Sequence, residues 1–319
     1  MNQTNTEASG IMNRFGSADW RLFFALSRTP HAVLDMCTPA LAAVLYLGGF
    51  PPVSVTLVGL ITAFSGYTAV YALNDLVDCK IDRQRLALTE NSPGTVRVDE
   101  ILMRHPVAQG ALPFETGLAW FALWSLIALA GAWWLNPFCV ILFIIAASME
   151  VFYCKLLRIS HLKIIPSIVV KVTGGLAGLY AVEPYPDPVF VALLIIWLGA
   201  WEIGGQNIAN DIVDMKADQK VSARTTLTIL GLKESVFILL AGISVAASAG
   251  VIIYWVAGLG LGTFYLVGAA VLSWKLLLQP ARQVYLNPGP ETAACLFNRA
   301  SYMPLGYLVV ALISLGLPL

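Results

Sequence analysis

The sequence predicts an all-α polytopic membrane protein, and three observations carry that prediction. Charged residues make up 12% of the 319 positions and hydrophobic residues 58%, whereas soluble domains carry about 25% charged residues. The mean hydropathy is +0.76. Apolar stretches near the ~20 residues needed to cross a bilayer recur at 32–50, 53–73, 113–134, 136–153, 165–182, 188–209, 232–253, 255–278 and 299–318. They predict nine spans around a central cavity.

The basic residues orient these spans, because short loops rich in Lys and Arg stay in the cytoplasm. With the N-terminus cytoplasmic, all 19 Lys and Arg residues fall on that side. They cluster before the first span (Arg14, Arg21, Arg28), after the second (Lys80 to Arg104), around the fourth loop (Lys155 to Lys171), after the sixth span (Lys216 to Lys233) and between the last two (Lys275 to Arg299). The opposite loops carry none. An integral protein of the cell (inner) membrane is expected, with its site facing the cytoplasm. The first 30 residues are too polar for a cleaved signal segment, and Trp20 to Leu26 reads as an interfacial amphipathic stretch.

The chain is read as one domain, 1–319, with an interfacial segment at 1–30 and a lid-like loop at 82–111. Within that loop, Thr89 to Gly94 is turn-rich, and Val98 to Arg104 suits a short amphipathic helix. Five cysteines without C-x-x-C spacing predict neither a disulfide nor a zinc site.

A repeated carboxylate pattern carries the chemistry. Asn74-Asp75-x-x-Asp78-x-x-x-Asp82 closes the second span and Asn210-Asp211-x-x-Asp214-x-x-x-Asp218 the sixth. At about 100° per residue each Asp trio falls within about a 60° arc, one acidic stripe. Like charges on one stripe repel unless a cation sits among them, and hard oxygen ligands favour Mg²⁺, which keeps positions for water and phosphate oxygens. Asn74 and Asn210 add neutral carbonyls at the same helix ends. The plain alternative, solvated charges paired with Lys80, Arg83, Lys216 and Lys220, does not explain why the whole spacing occurs twice.

Other polar groups lie inside the apolar zone: Asp35, Glu150, Lys171, Glu202, Gln206 and Asn207. Intramembrane ionisable residues are functional candidates by default. Asp35 and Glu202 are candidates to orient an acceptor or take its proton, and a Glu202–Lys171 ion pair is the structural alternative. His31, His105 and His161 lack metal-ligand spacing, and His31, beside Arg28, is the one placed to touch substrate. Tyr67, Tyr71, Trp197 and Trp201 offer π-faces to a cation.

With these motifs the chain resembles the UbiA superfamily of intramembrane prenyltransferases. The resemblance rests on both signatures, the nine spans, Arg28-Thr29-Pro30 before the first span, and Gly204-Gly205-Gln206-Asn207-Ile208-Ala209 before the second motif. It implies Mg²⁺-dependent transfer of a prenyl group from a polyprenyl diphosphate to an aromatic or other lipophilic acceptor, in quinone or related lipid biosynthesis. It implies that Asp75, Asp78, Asp82, Asp211, Asp214 and Asp218 bind metal and perform catalysis, with Asn74 a further metal ligand. Arg28, Asn74, Lys155 and Arg224 would contact diphosphate. His31, Asp35, Tyr67, Tyr71, Glu202 and Asn207 would line the acceptor or cation pocket. The partners are the donor, the acceptor and the bilayer, with no nucleic acid.

Departures from the family pattern are informative. The Arg104-His105-Pro106 element follows Asp82 only after 21 residues, and Tyr153 is followed by Lys155 and Arg158 instead of the usual Tyr-x-x-x-Lys. Absence of Met-x-Arg-Thr after the first motif argues against a porphyrin acceptor. A cation-coupled secondary transporter is the reading from another class, and a membrane terpene cyclase shares the scaffold. Transporters place ion sites near the midplane on broken helices, whereas these carboxylates close spans among basic loops.

Overall fold

A computed structural model describes residues 20–88, 97–98, 101–258 and 260–316. Arg14, the Thr89 to Gly94 cluster and Asp99 to Glu100 lie outside the described residues. Within them the chain is helical, and nine helical segments are long and apolar enough to cross a membrane. Lipid offers backbone groups no partner, so each crossing must satisfy its own hydrogen bonds.

The elements are α1 (Trp20–Leu26), α2 (Thr29–Asp35), α3 (Cys37–Leu47), α4 (Val53–Leu88), α5 (Phe114–Leu135), α6 (Pro137–Leu156), α7 (Ile164–Val182) and α8 (Pro188–Trp201). A π-helical segment (Glu202–Asn207) then leads into α9 (Ile208–Val213), α10 (Met215–Lys220), α11 (Thr226–Leu230) and α12 (Leu232–Ile252). The chain closes with α13 (Thr263–Leu272), a second π segment (Ser273–Leu278), α14 (Gln279–Leu286), α15 (Pro290–Ser301) and α16 (Met303–Gly316).

Local chemistry sets several boundaries. Asn136 and Asp187 cap α6 and α8 by accepting from backbone N–H groups of the first turn, each followed by a proline that has no N–H to strand. Gly48 ends α3 in the left-handed region at φ 57°, as helix-terminating glycines do. A Cβ on Gly48 would lie 2.4 Å from the Gly258 carbonyl carbon, so both glycines are required where two loops cross.

Sequential neighbours α4–α5, α5–α6 and α6–α7 pack together, α7 packs on α3, and α8 packs on α12. The main apolar core gathers α3, α7, α8 and α12 to α16 around Trp197, Leu239, Tyr265 and Tyr307. On α4 and α5, by contrast, Leu57, Ile61, Leu126 and Trp133 face outward, the side an apolar solvent would cover. α1 is not merely interfacial: Phe23 and Leu26 pack with Leu76 and Val107, and Trp120 donates to Ser27 at 2.9 Å.

Several expected bounds are corrected. α4 continues to Leu88, so the first turns of the expected 82–111 loop are helix. Residues 101–111 are bends and turns, not the expected amphipathic helix. The eighth crossing begins at Thr263 rather than 255 and runs on to Leu286. Its apolar N-terminal part contains Gly258, Gly260 and Gly262, and hydropathy does not distinguish a glycine turn from a helix. The ninth starts at Pro290, its first turns hidden by Glu291, Asn298 and Arg299.

Candidate active site

The first motif sits on the unbroken end of α4, where Asp75, Asp78 and Asp82 share one face as expected, all buried. The second motif departs from a single stripe. Asp211 lies on α9, Asp214 interrupts the helix at φ −88°, ψ 6°, and Asp218 lies on α10. The preceding π segment, a feature frequent at functional sites, turns Glu202, Gln206 and Asn207 onto the chamber described below.

Basic side chains draw the two motifs together. Arg85 of α4 binds Asp218 across the bundle and lies 3.7 Å from Asp82. Arg97, 1% exposed, donates to Asn210 and, at 3.2 Å, to Asp214; Arg104 reaches the same Asp214 oxygen at 3.3 Å. Arg28 donates to Asn74 at 2.9 Å, and Lys163 lies 3.4 Å from Asp211. His105 Nδ1 is 2.7 Å from Asp75 and 2.9 Å from Asp82. Between these groups is a polar recess of about 70 Å³.

Arg28 and His105 adopt positive φ, 44° and 52°, a conformation costing about 1–3 kcal/mol for such residues and concentrated at functional sites. Arg28 and His105 border the recess, whereas Ser222, at φ 55°, borders neither cavity.

The extramembrane carboxylates differ in acidity. Burial disfavours the charged form of Asp214, but Arg97, Arg104 and Arg85 outweigh it and hold the group below the ordinary carboxylate range. Burial dominates at Asp218 and pushes it up to about 6, with Arg85 opposing. For His105, burial favours the neutral ring, yet hydrogen bonds to Asp75 and Asp82 prevail and raise its pKa.

Adjoining the recess is a larger, mostly apolar chamber of about 470 Å³, and Arg28, Asn74, Tyr153 and Asn210 border both. One face of α4 lines it from Val55 to Asn74, about 28 Å at 1.5 Å per residue. Its polar wall holds Asp35, which accepts from Tyr71 at 2.5 Å and pairs with Lys171. His31 stacks on Phe297 with ring centres 5.5 Å apart. Glu202 accepts from Ser167 at 2.5 Å, and Asn207 donates to Ser167 at 3.1 Å. Asn74 donates to Glu150 at 2.5 Å.

The sequence-derived candidates divide accordingly. Asn74, Asp78, Asp82 and Asp214 border the recess, while Asp75, Asp211 and Asp218 stand behind it on His105, Lys163 and Arg85. His31, Asp35, Tyr67, Tyr71, Glu202 and Asn207 line the chamber. Lys155 and Arg224 are exposed and border neither cavity. Trp197 and Trp201 are packed into the core, Trp201 donating to the Ala300 carbonyl. Lys171 makes its ion pair with Asp35 rather than the alternative one with Glu202.

Sequence spacing missed Lys163 and His105. Lys163 lies 3.3 Å from the Tyr153 hydroxyl and beside Asp211; a short 3₁₀ turn, His161–Lys163, brings it back. His105 follows Asp82 by 23 positions, and only the fold makes it a neighbour. One ligand atom from each of Asp75, Asp82 and His105 lies within 4.8 Å of the others. Buried oxygens of Asp75 and Asp211 have no hydrogen-bond partner. These oxygens fit a hard divalent cation.

Among the described residues, nine helices of bilayer length and a polar recess lined by both carboxylates and arginines beside an apolar chamber define an integral membrane protein with a site of mixed charged and apolar character. The UbiA prenyltransferase family model matches residues 36–302, and the chain belongs to that family. A sequence search of curated proteins finds no match. Solved structures share the fold. A digeranylgeranylglyceryl phosphate synthase is 17% identical with a TM-score of 0.65, covering 94% of this chain and 100% of that one. A UbiA homolog from Aeropyrum pernix K1 is 19% identical with a TM-score of 0.64, covering 94% and 99%. One from Archaeoglobus fulgidus, bound to GPP and Mg²⁺, is 12% identical with a TM-score of 0.65, covering 93% and 100%.

Proposed function

We propose that this prenyltransferase moves an isoprenoid from a polyprenyl diphosphate to an aromatic or other lipophilic acceptor, with Mg²⁺, at the cytoplasmic face of the cell membrane. The observation that carries this reading is the convergence of both carboxylate motifs on one polar recess that adjoins a long apolar chamber. The recess suits a diphosphate and the chamber its hydrocarbon tail. The archaeal homolog bound to GPP and Mg²⁺ supports the same donor chemistry. The one-sided distribution of Lys and Arg supports the orientation.

Mg²⁺ would be held by Asp75, Asp78, Asp82, Asp211, Asp214 and Asp218, with Asn74 beside them, and it would neutralise charge developing on the departing diphosphate. Arg28, Arg97 and Arg104 meet phosphate oxygens by charge-assisted hydrogen bonds. Residues 97–98 and 101–111 would cover the recess as a lid, bringing Arg97, Arg104 and His105 to it from outside the bundle. The chamber wall excludes water from an allylic cation, and Tyr67 and Tyr71 present π-faces to it. Lys155 and Arg224 stay in the solvent-facing basic surface that attracts the anionic donor. Quinone or related lipid biosynthesis is the setting we favour.

The test is product analysis by mass spectrometry. Purified protein in lipid nanodiscs releases diphosphate and prenylates an acceptor only when a divalent metal and a prenyl diphosphate are both present. Asp78→Ala and Asp214→Ala retain helical folding by circular dichroism and lose turnover. Full activity in either variant, or ion flux in proteoliposomes without diphosphate release, sinks this assignment.

A further inference from the structure

Three buried acceptor atoms on the chamber wall lack hydrogen-bond partners: Asp35 Oδ1, Glu202 Oε2 and Asn207 Oδ1. Their residues are 1%, 3% and 5% exposed, and all three line the chamber. Native interiors leave few such groups unpaired, and each one requires a reason.

The hydrogen-bond chain fixes which atoms are free. Ser167 has one proton, which it gives to the Glu202 carboxylate at 2.5 Å. Its oxygen must therefore accept from Asn207, which turns the amide –NH₂ of Asn207 toward Ser167 at 3.1 Å and leaves the amide carbonyl unpaired. Glu202 keeps its second oxygen. On the same polar wall, Asp35 uses one oxygen for Lys171 and Tyr71 and keeps the other. Each orphan accepts, and none donates.

Charge points the same way. Among the described residues that line the chamber, three carboxylates (Asp35, Glu150, Glu202) face two permanent cations, Arg28 and Lys171. Lys171 is already engaged by Asp35 and Arg28 by Asn74. His31 Nε2, 3.6 Å from Asp35, is held by the same carboxylate. An anionic group entering beside Glu202 and Asn207 would meet unpaired oxygens in a low-dielectric space, with Lys171 already neutralised by Asp35 and Arg28 given to the donor diphosphate at the recess, an arrangement that disfavours it.

Resting on the prenyl-transfer reading above, we infer that the acceptor is a neutral molecule bearing at least two hydroxyl groups, such as a dihydroxylated aromatic ring, and not a carboxylate or phosphate ester. Its hydroxyls donate to Glu202 or Asn207 and to Asp35 along the polar wall. Its ring lies against the apolar lining near Tyr71 and Phe297. A site that hydrogen-bonds a hydroxyl discriminates strongly against a ligand lacking it, because its own buried groups are then left unpaired.

Acceptor binding is read by calorimetry in nanodiscs without any prenyl diphosphate, using hydroquinone and 4-hydroxybenzoate, two rings that differ in one hydroxyl against one carboxylate. Hydroquinone is expected to bind at least ten-fold more tightly. Glu202→Gln replaces an acceptor with a donor and should cut that ratio at least ten-fold. Asn207→Leu should weaken hydroquinone without strengthening hydroxybenzoate, which separates loss of an acceptor from gain of a donor. Equal or tighter binding of the carboxylate, an unchanged ratio in both folded variants, or no measurable binding of either ring overturns the inference. Failure of prenyl transfer itself registers elsewhere, as absence of diphosphate release with every acceptor.

Discussion

Arg85, on the helix that carries the first carboxylate motif, donates to Asp218 of the second, 133 positions further along the chain. Breaking a buried pair leaves one charge without its partner, at about 3–5 kcal/mol; Arg85 is 18% exposed, which places Arg85→Leu near the lower end, about 3 kcal/mol. Thermal unfolding in detergent should show that loss, and Arg85→Leu with Asp218→Leu should recover part of it. Additive losses in the double variant would mean that the contact does not couple the two halves.

The elements that rested on composition were legible because lipid forces one answer on an apolar run of bilayer length. Asp75 and Asp211 were equally legible, since a repeated acidic spacing in a charge-poor chain has few other uses. The partners of those carboxylates were not. Lys163, Arg97 and His105 reach the site from a 3₁₀ turn and a connecting segment, and no periodicity links them to it. The break at Asp214 was hidden because the seven-residue spacing is the same whether the helix is continuous or interrupted. Lys155 and Arg224 were selected by their place in the chain, and both point to solvent.

His105 should make stability depend on pH. Its pKa is raised in the fold by Asp75 and Asp82 against the effect of burial, so the protonated ring stabilises the native state. That contribution is complete below the ordinary value of 6.5 and disappears as pH rises through the higher folded value. His105→Gln should therefore lose most stability in mildly acidic buffer, about 1.5–3 kcal/mol for charged hydrogen bonds, and progressively less in alkaline buffer. Saturating Mg²⁺ should shrink the difference by claiming the same carboxylates. A gap between wild type and variant that widens with pH would contradict the pairing.

Metal binding should expel a proton from Asp218. Its folded pKa of about 6 exceeds the ordinary 3.8, so between these values the native state holds a proton that the unfolded chain has lost, and stability falls as pH rises through the interval. A ligating carboxylate must be ionised, so affinity for Mg²⁺ should fall up to ten-fold for each pH unit below about 6. Titrating Mg²⁺ into weakly buffered protein should release more protons at about pH 6 than at about pH 8, where the group is already ionised. Asp218→Asn should remove the excess. Equal release from both proteins would show that Asp218 is not a ligand.

The reach of the chamber should be set on α4. Gly66 lines it, and a Cβ there would meet only Phe143, at 3.7 Å, so a larger side chain projects into free space rather than into backbone. In Gly66→Leu the added carbons occupy the path between Asn74, beside the recess, and Val55 at the far end. The helix itself gains, because glycine is about 1 kcal/mol worse than the best helix formers. A five-carbon diphosphate, which needs only the part nearest Asn74, should keep kcat/KM within about three-fold of wild type. A long polyprenyl diphosphate should lose at least ten-fold, since failure to seat the tail removes the orientation that productive binding requires. Equal loss for short and long donors would mean that the tail takes another route and that this chamber serves the acceptor alone.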